Sequence, residues 1–315
     1  MGTVRVLREA DIRAALPMAA CIDAVEAAFV ASSTGGAEHP GVIHLDVPES
    51  RGEIHIKAGH LHGGRTYAVK VSSGFAGVEP PAYDGIVVAF DATTGAPVAF
   101  LMDNGFITDQ RTGAAGGVAA RRFARERVEV VAVLGTGLQS RKQVEALRVV
   151  RPDVREIRVW GRDGAKAGAA ADDVGGRVAA TVHDAADAAD VVVTCTASRA
   201  PLLRNEDVAP GALVIALGSD GPGKQELDVE LLRRADVLAV DALDQCLRLG
   251  ELQHAPELAG GAVELGAVCA GTATGRTDDR QVVVCDLTGL GVQDVAAANA
   301  ILANVPADAG TTIET

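Results

Sequence analysis

A glycine-rich turn is the first stretch whose residue types suggest chemistry. Gly135-Thr136-Gly137-Leu138-Gln139-Ser140 follows the apolar run Val128–Leu134 and leads into a segment with Val144, Leu147 and Arg148 at helical spacing. A buried strand, a tight turn and a helix make a dinucleotide-binding unit. Gly135 permits the turn, Gly137 lets the backbone approach a pyrophosphate, and the helix N-terminus offers free N–H groups to phosphate oxygens. Ser140 stands where a third glycine is usual. The motif alone describes a ligand-free turn equally well, so its surroundings must decide.

Three other stretches carry chemical potential. Asp220 lies between Gly218 and Gly221, just after the apolar run Ala212–Leu217. That is the carboxyl end of a strand, where ligands sit in open α/β sheets, although Ser-Asp-Gly-Pro-Gly also reads as a plain turn. After the strand Ile157–Trp160 come Gly161, Arg162 and Asp163. The usual acid for a ribose 2′-hydroxyl is absent there. Arg162 suits a 2′-phosphate, which favours NADP over NAD, while Asp163 leaves NAD open. Finally, His55 to His62 is rich in His and Lys. On a strand His55 and Lys57 share one face. His60 and His62 lack a placed third ligand, so no metal site is expected.

The elements that must position these residues follow from hydrophobic periodicity. Leu7–Leu16 and Pro17–Ser32 read as helices. From Val42 to Asp103 the period is two, with strands at Val42–Val47, Glu53–Lys57, Tyr67–Ser72, Ile86–Asp91 and Val98–Asp103, which implies an antiparallel sheet. Arg111–Arg125 reads as a small-residue helix. From Val128 strands and helices alternate through Val282–Asp286, implying a parallel, doubly wound sheet. Val292–Asn304 reads as a last helix, and the tail after Val305 as loose.

Bulk properties narrow the function class. The 315 residues are 48% hydrophobic and 3% aromatic, with a formal net charge of −13. That acidity argues against nucleic acid and anionic membranes as partners. Five cysteines without CxxC spacing suit reduced thiols in the cytoplasm. No secretory signal or membrane-spanning run is recognisable.

In this order along the chain, the segments YAVKVSSGF, GIVVAFDATTGAPVAFLMDNGFITDQRTGAA, VLGTGLQSR, RVWGRD, VVTCTASRAPLL, ALGSDGPGKQELD and CDLTGLGVQD resemble the ornithine cyclodeaminase / mu-crystallin family. The resemblance runs over roughly residues 50–300. It implies a Rossmann dinucleotide-binding domain (113–293) inserted into an α+β substrate and dimerisation domain (1–112 plus 294–315) with an antiparallel sheet. It also implies a homodimer that binds NAD(P)(H) and a small amino acid or imine. By resemblance, Lys70 and Arg111 hold a substrate carboxylate and Asp220 serves as acid/base, with Lys70 beside it as a second catalytic candidate. The cofactor is expected along Arg111, Thr112, Gly135, Thr136, Gly137, Leu138, Gln139, Gly161, Arg162, Asp163, Thr194, Thr196, Gly218, Ser219, Lys224 and Thr288.

The residue types suit hydride transfer at a carbon bearing nitrogen. Such chemistry needs a gripped carboxylate and a proton relay at the nitrogen. One departure stands out. Members with an ornithine-type pocket carry an Arg soon after a Pro on the first strand, whereas this chain reads Pro40-Gly41-Val42-Ile43. Lys57 is expected to replace that Arg, with His55 shaping the pocket.

The expected activity is reduction of an imino acid or ketimine, or its reverse as an amino-acid dehydrogenase. The alternatives are a redox-neutral cyclodeaminase that releases ammonia from an ornithine- or lysine-like substrate, and a non-catalytic binder of NADPH or a small ligand. Structural alternatives stand beside each site residue: Lys70 as a solvated edge residue, Arg111 paired at the surface with Asp103 or Asp109, and Lys224 with Glu226 as a solvated pair.

Overall fold

The computed structural model describes residues 2–75, 77–78 and 82–314. Two compact units divide the chain: Met1–Arg111 with Leu290–Thr315, and Thr112–Gly289.

The first unit opens with β1 (Thr3–Arg8), α1 (Glu9–Ala15) and α2 (Met18–Ser33). The strands β2 (Ala37–Glu38), β3 (Val42–Val47), β4 (Gly52–Leu61), β5 (Thr66–Phe75), β6 (Ala82–Asp91) and β7 (Pro97–Met102) follow. Helix α3 (Phe106–Phe123) carries the chain into the second unit. There β8 (Val130–Leu134), α4 (Leu138–Val150), β9 (Glu156–Trp160), α5 (Gly164–Val174), β10 (Arg177–Val178), α6 (Val182–Ala186) and β11 (Val191–Thr194) alternate. They lead to β12 (Arg199–Leu203), β13 (Leu213–Ala216), β14 (Gln225–Leu227), α7 (Val229–Arg234), β15 (Val237–Val240), α8 (Leu243–Leu249), β16 (Val263–Glu264), α9 (Leu265–Cys269) and β17 (Val283–Asp286). The chain returns to the first unit with α10 (Gly291–Asn304) and β18 (Thr311–Glu314).

The first sheet runs β18-β1-β7-β6-β5-β4-β2, with β3 also paired to β4. It is mixed rather than purely antiparallel, because β1 joins β7 in parallel. Two expectations at the chain's ends need correction. Residues 3–8 form a strand where a helix over Leu7–Leu16 is expected, and the helix starts only at Glu9. The tail is not loose: Thr311–Glu314 pairs antiparallel with β1, from Thr3↔Glu314 to Val6↔Thr311. Both segments are short, and each becomes a strand through the sheet edge it meets rather than through its own periodicity.

One face of this sheet is buried and the other is apolar but open. Lys57, Lys70, Val87 and Leu101 form one cross-strand row on the buried face. On the opposite face Ile43, Ile56, Val71 and Ile86 form a matching row, with Ile43 64% and Val71 37% exposed.

In the second unit eight strands, β10-β9-β8-β11-β13-β17-β15-β16, are all parallel. The strands read as continuous Val, Ile, Leu and Ala because helices cover both faces of such a sheet. Among the described residues no single helix is long and apolar enough to cross a membrane. All five cysteines are free of disulfides.

Helix α10 reaches the first sheet through a glycine contact. A side chain on Gly291 would meet the Ala58 carbonyl oxygen at 2.2 Å, and one on Gly59 would meet the Val292 nitrogen at 3.1 Å. Backbone therefore lies directly on backbone at the start of the helix. Gly291→Ala is expected to lower stability by about 1–3 kcal/mol, the usual cost of overpacking. Denaturant unfolding measures this, and an unchanged midpoint would show that the contact is dispensable.

Candidate active site

The charged residues of the first unit converge under α10. Lys70 lies on β5, an interior strand, and is directly opposite Lys57 of β4. Like charges facing each other across two strands repel, so an acid must lie close by. Asp294, in the first turn of α10, supplies it. Its Oδ1 accepts from Lys70 Nζ at 3.0 Å and from Arg111 Nε at 3.2 Å. Arg111 Nη1 donates to Gln293 Oε1 at 3.1 Å, whereas its Nη2 makes no hydrogen bond among the described residues.

Arg111 is aimed by the start of α3. Asp103 Oδ2 accepts the Ile107 N–H at 2.8 Å and the Asp103 carbonyl accepts that of Phe106, so the helix begins at Phe106 rather than at Arg111. Asn104 (φ 50°) and Gly105 (φ 82°) make the sharp turn before it. Neither surface alternative holds: Lys70 is 2% and Arg111 6% exposed, and the acid paired with Arg111 is Asp294.

Burial sets the protonation of this cluster. It pushes the Lys70 ammonium down to about 8, with Asp294 opposing and Arg111 reinforcing the shift. It pushes Asp103 up to about 6 against the Ile107 N–H and Lys70. Burial also acts upward on Asp294, but Lys70, Arg111 and Lys57 outweigh it and hold that carboxyl below its ordinary value. Asp103 Oδ1, Gln293 Nε2 and Asp294 Oδ2 are buried with no hydrogen-bond partner among the described residues. Asp294, Gln293 and the capping role of Asp103 are not legible in the sequence. The acid lies 224 positions from Lys70, and only the return of α10 joins them.

His55 shares the face of Lys57. Its ring lies 4.7 Å from that of His44, and its Nε2 lies 3.9 Å from Glu53. His60 meets the Thr66 carbonyl and His62 lies beside Glu38. Among the described residues no group of three His, Cys, Asp or Glu side chains is placed to hold a metal ion.

The second unit carries the glycine turn. Gly135 has φ +141°, and a side chain there would meet Cys195 Sγ at 2.7 Å. Gly137 is the N-cap of α4, with no side-chain cap and open space within 4 Å of where a Cβ would stand. An uncapped helix N-terminus facing open space fits a dinucleotide pyrophosphate. Leu138 is exposed beside it, and Gln139 lies one residue further into the helix. Ser140, in the third glycine's place, is 1% exposed and turns its hydroxyl back to the Gly137 carbonyl at 2.7 Å. Arg141 Nη1 donates to the Thr136 and Gly137 carbonyls and holds the turn from outside, a role not anticipated from the sequence. Gly161 packs against Thr136, whose Cγ2 would lie 2.3 Å from a Cβ there.

The remaining cofactor candidates divide by what they bind within the protein. Arg162 is exposed and unpaired among the described residues, while Asp163 is the N-cap of α5, accepting from Ala165 and Lys166. Thr194, Thr196 and Gly218 all donate to Glu226. Ser219 donates to the Lys224 carbonyl, and Thr288 to Asp241. The Thr112 carbonyl accepts from Gln143. Lys224 and Glu226 are not a solvated pair: Glu226 is fully buried, and Lys224 Nζ donates to Asp220 Oδ1 at 2.6 Å. Asp220 itself is half-exposed.

Residues 3–308 match the Ornithine cyclodeaminase/mu-crystallin family. The chain belongs to that family. An iminosuccinate reductase of Paracoccus denitrificans is 37% identical over 69% of each chain. Among solved structures, an archaeal alanine dehydrogenase dimer with bound NAD superposes with a TM-score of 0.90, 31% identity and 99% coverage of each chain. The Thermococcus litoralis Δ1-pyrroline-2-carboxylate reductase in complex with NADH and L-proline gives a TM-score of 0.90 at 26% identity, over 98% of this chain and all of that one.

Near Glu226, two further buried acids bear on stability. Burial and Asp286 push Glu251 up to about 9, although its oxygens accept the Glu226 and Leu227 N–H groups. Burial likewise pushes Asp286 up to about 7. Both folded-state values lie above the unfolded ones, so this stability is complete below about pH 4 and lost as pH rises through about 7 and then about 9. Glu251→Gln removes a titrating proton and should flatten stability against pH between 7 and 9. Denaturant unfolding across that range decides, and an unaltered slope would mean that Glu251 does not titrate there.

Proposed function

We propose that this chain is an NAD(P)-dependent oxidoreductase acting at the α-carbon of a small amino or imino acid, as an imine reductase or amino-acid dehydrogenase. The observation that carries this reading is the pair of buried cations gathered on one acid: Asp294 Oδ1 accepts from Lys70 Nζ at 3.0 Å and from Arg111 Nε at 3.2 Å, with both cations at most 6% exposed. A guanidinium edge and an ammonium held side by side suit a substrate carboxylate, which accepts from both.

Arg111 Nη2 and the remaining N–H groups of Lys70 hold that carboxylate, and Lys57 adds charge where other members place an Arg. Asp103 Oδ1 and Asp294 Oδ2, both without a donor, suit a ligand that brings N–H groups together with its carboxylate. Fixing the carboxylate leaves the α-carbon little rotational freedom, so the reacting face is chosen by binding. Asp220, half-exposed and hydrogen-bonded to Lys224, is the acid/base we assign within the second unit. The bound nicotinamide supplies or accepts the hydride.

We assign the substrate to the first unit and the dinucleotide to the second, along Gly135–Leu138. Arg162 is free for a 2′-phosphate while Asp163 is engaged in capping, which supports NADP over NAD. The open apolar face around Ile43 and Val71 suits a second copy of this chain, hence a homodimer, and five free thiols suit a reducing cytoplasm.

Asp220→Asn should abolish turnover of α-imino acids while leaving NAD(P)H binding, followed by nicotinamide fluorescence, intact; undiminished turnover would remove Asp220 from the reaction. Arg162→Ser should weaken NADPH binding about tenfold or more and leave NADH binding unchanged, and equal affinities for NADPH before and after would assign the chain to NAD.

A further inference from the structure

Glu226 is fully buried. Each of its oxygens is saturated. Oε1 accepts from the Thr196 N–H at 2.6 Å and the Thr196 hydroxyl at 2.7 Å. Oε2 accepts from the Thr194 hydroxyl at 2.7 Å and the Gly218 N–H at 2.8 Å. Thr194 ends β11, and Gly218 lies two residues beyond β13, the next strand of the parallel sheet. Glu226 itself lies on β14, at the far end of the segment that carries Asp220. One carboxylate therefore ties the chain leaving β11 to the chain leaving β13, and also closes the loop from Gly218 to Glu226.

Space around this clamp is closed. A side chain on Gly218 would meet the Thr196 carbonyl oxygen at 2.1 Å and the Glu226 carboxylate at 2.5 Å. Within the loop, Ser219 donates to the Lys224 carbonyl, Lys224 to Asp220, and Gln253 Nε2 to the Gly221 and Lys224 carbonyls. The carboxylate is expensive to bury, and only its four donors make its place tenable. Such a network fixes geometry at the sheet edge where open α/β folds bind ligands.

We propose that Glu226 is a positioning residue of the reaction, clamping the Thr196 and Gly218 backbone so that the dinucleotide and Asp220 are held in register. This rests on the oxidoreductase reading above. A generic loss of packing must be separated from loss of positioning, and Asp190 provides the control. It sits just before β11, at the opposite end of that strand, and accepts the Glu129 and Val130 N–H groups and Arg125.

Glu226→Gln keeps the shape but turns an N–H₂ donor toward the Gly218 or Thr196 N–H. Asp190→Asn makes the comparable change away from the ligand edge. Both variants should lower the melting temperature. Glu226→Gln should weaken NAD(P)H binding at least fivefold by fluorescence and lower kcat at least tenfold, with the KM for the amino or imino acid within about threefold of wild type. Asp190→Asn should leave all three near wild type. Equal cofactor affinity in the Glu226→Gln and Asp190→Asn variants would overturn the proposal. Wild-type protein that binds NAD(P)H but turns over no α-amino or α-imino acid would instead overturn the oxidoreductase reading, and the affinity comparison would still judge the clamp.

Discussion

The first unit depends on one buried carboxylate meeting two cations. Asp294 Oδ1 holds Lys70 and Arg111, which arrive on a strand and a helix far apart in sequence. Without this acid, two lysines would face each other across β4 and β5 in a dry interior, with a guanidinium beside them. Breaking a buried pair typically costs about 3–5 kcal/mol, because the surviving charge is left without solvent or partner. The cations are thereby kept charged and oriented. A surface cluster of the same composition would be screened and would select nothing.

The two units meet their polar requirements differently. In the first, opposite charges face one another, as where Lys70 and Arg111 share Asp294. In the second, buried acids are satisfied almost wholly by backbone N–H and hydroxyl donors, as at Glu226, Glu251 and Asp241. These acids tie together the ends of parallel strands that have no hairpins to join them. The first arrangement suits recognition of charge, the second the fixing of loops.

Much of this was legible in the sequence, for identifiable reasons. The parallel sheet announces itself because buried strands read as unbroken Val and Ile, and the glycine turn because only certain residues permit it. Lys70, Arg111 and Asp220 emerged from motif wording. Asp294 and Glu226 did not, since an acid's partners are chosen by tertiary folding and leave no local period. Asp163 shows the converse: a residue expected beside a cofactor from its motif position caps a helix in the ordinary way. The strands β1 and β18 escaped notice because their pairing is with each other and with β7, and neither run is long enough to show a period of its own.

That pairing of β1 with β18 has a consequence for how the molecule comes into being. The second unit is one continuous stretch and can fold as soon as it has been synthesised. The first cannot: its edge strand, its covering helix and the acid that neutralises Lys70 all belong to the last segment of the chain. Until then the nascent protein carries a sheet with an open edge and a Lys70 that has yet to meet Asp294. Completion of the charged cluster around Lys70 thus waits on α10, and a chain that stops short of α10 would hold a parallel-sheet unit attached to an unfinished sheet.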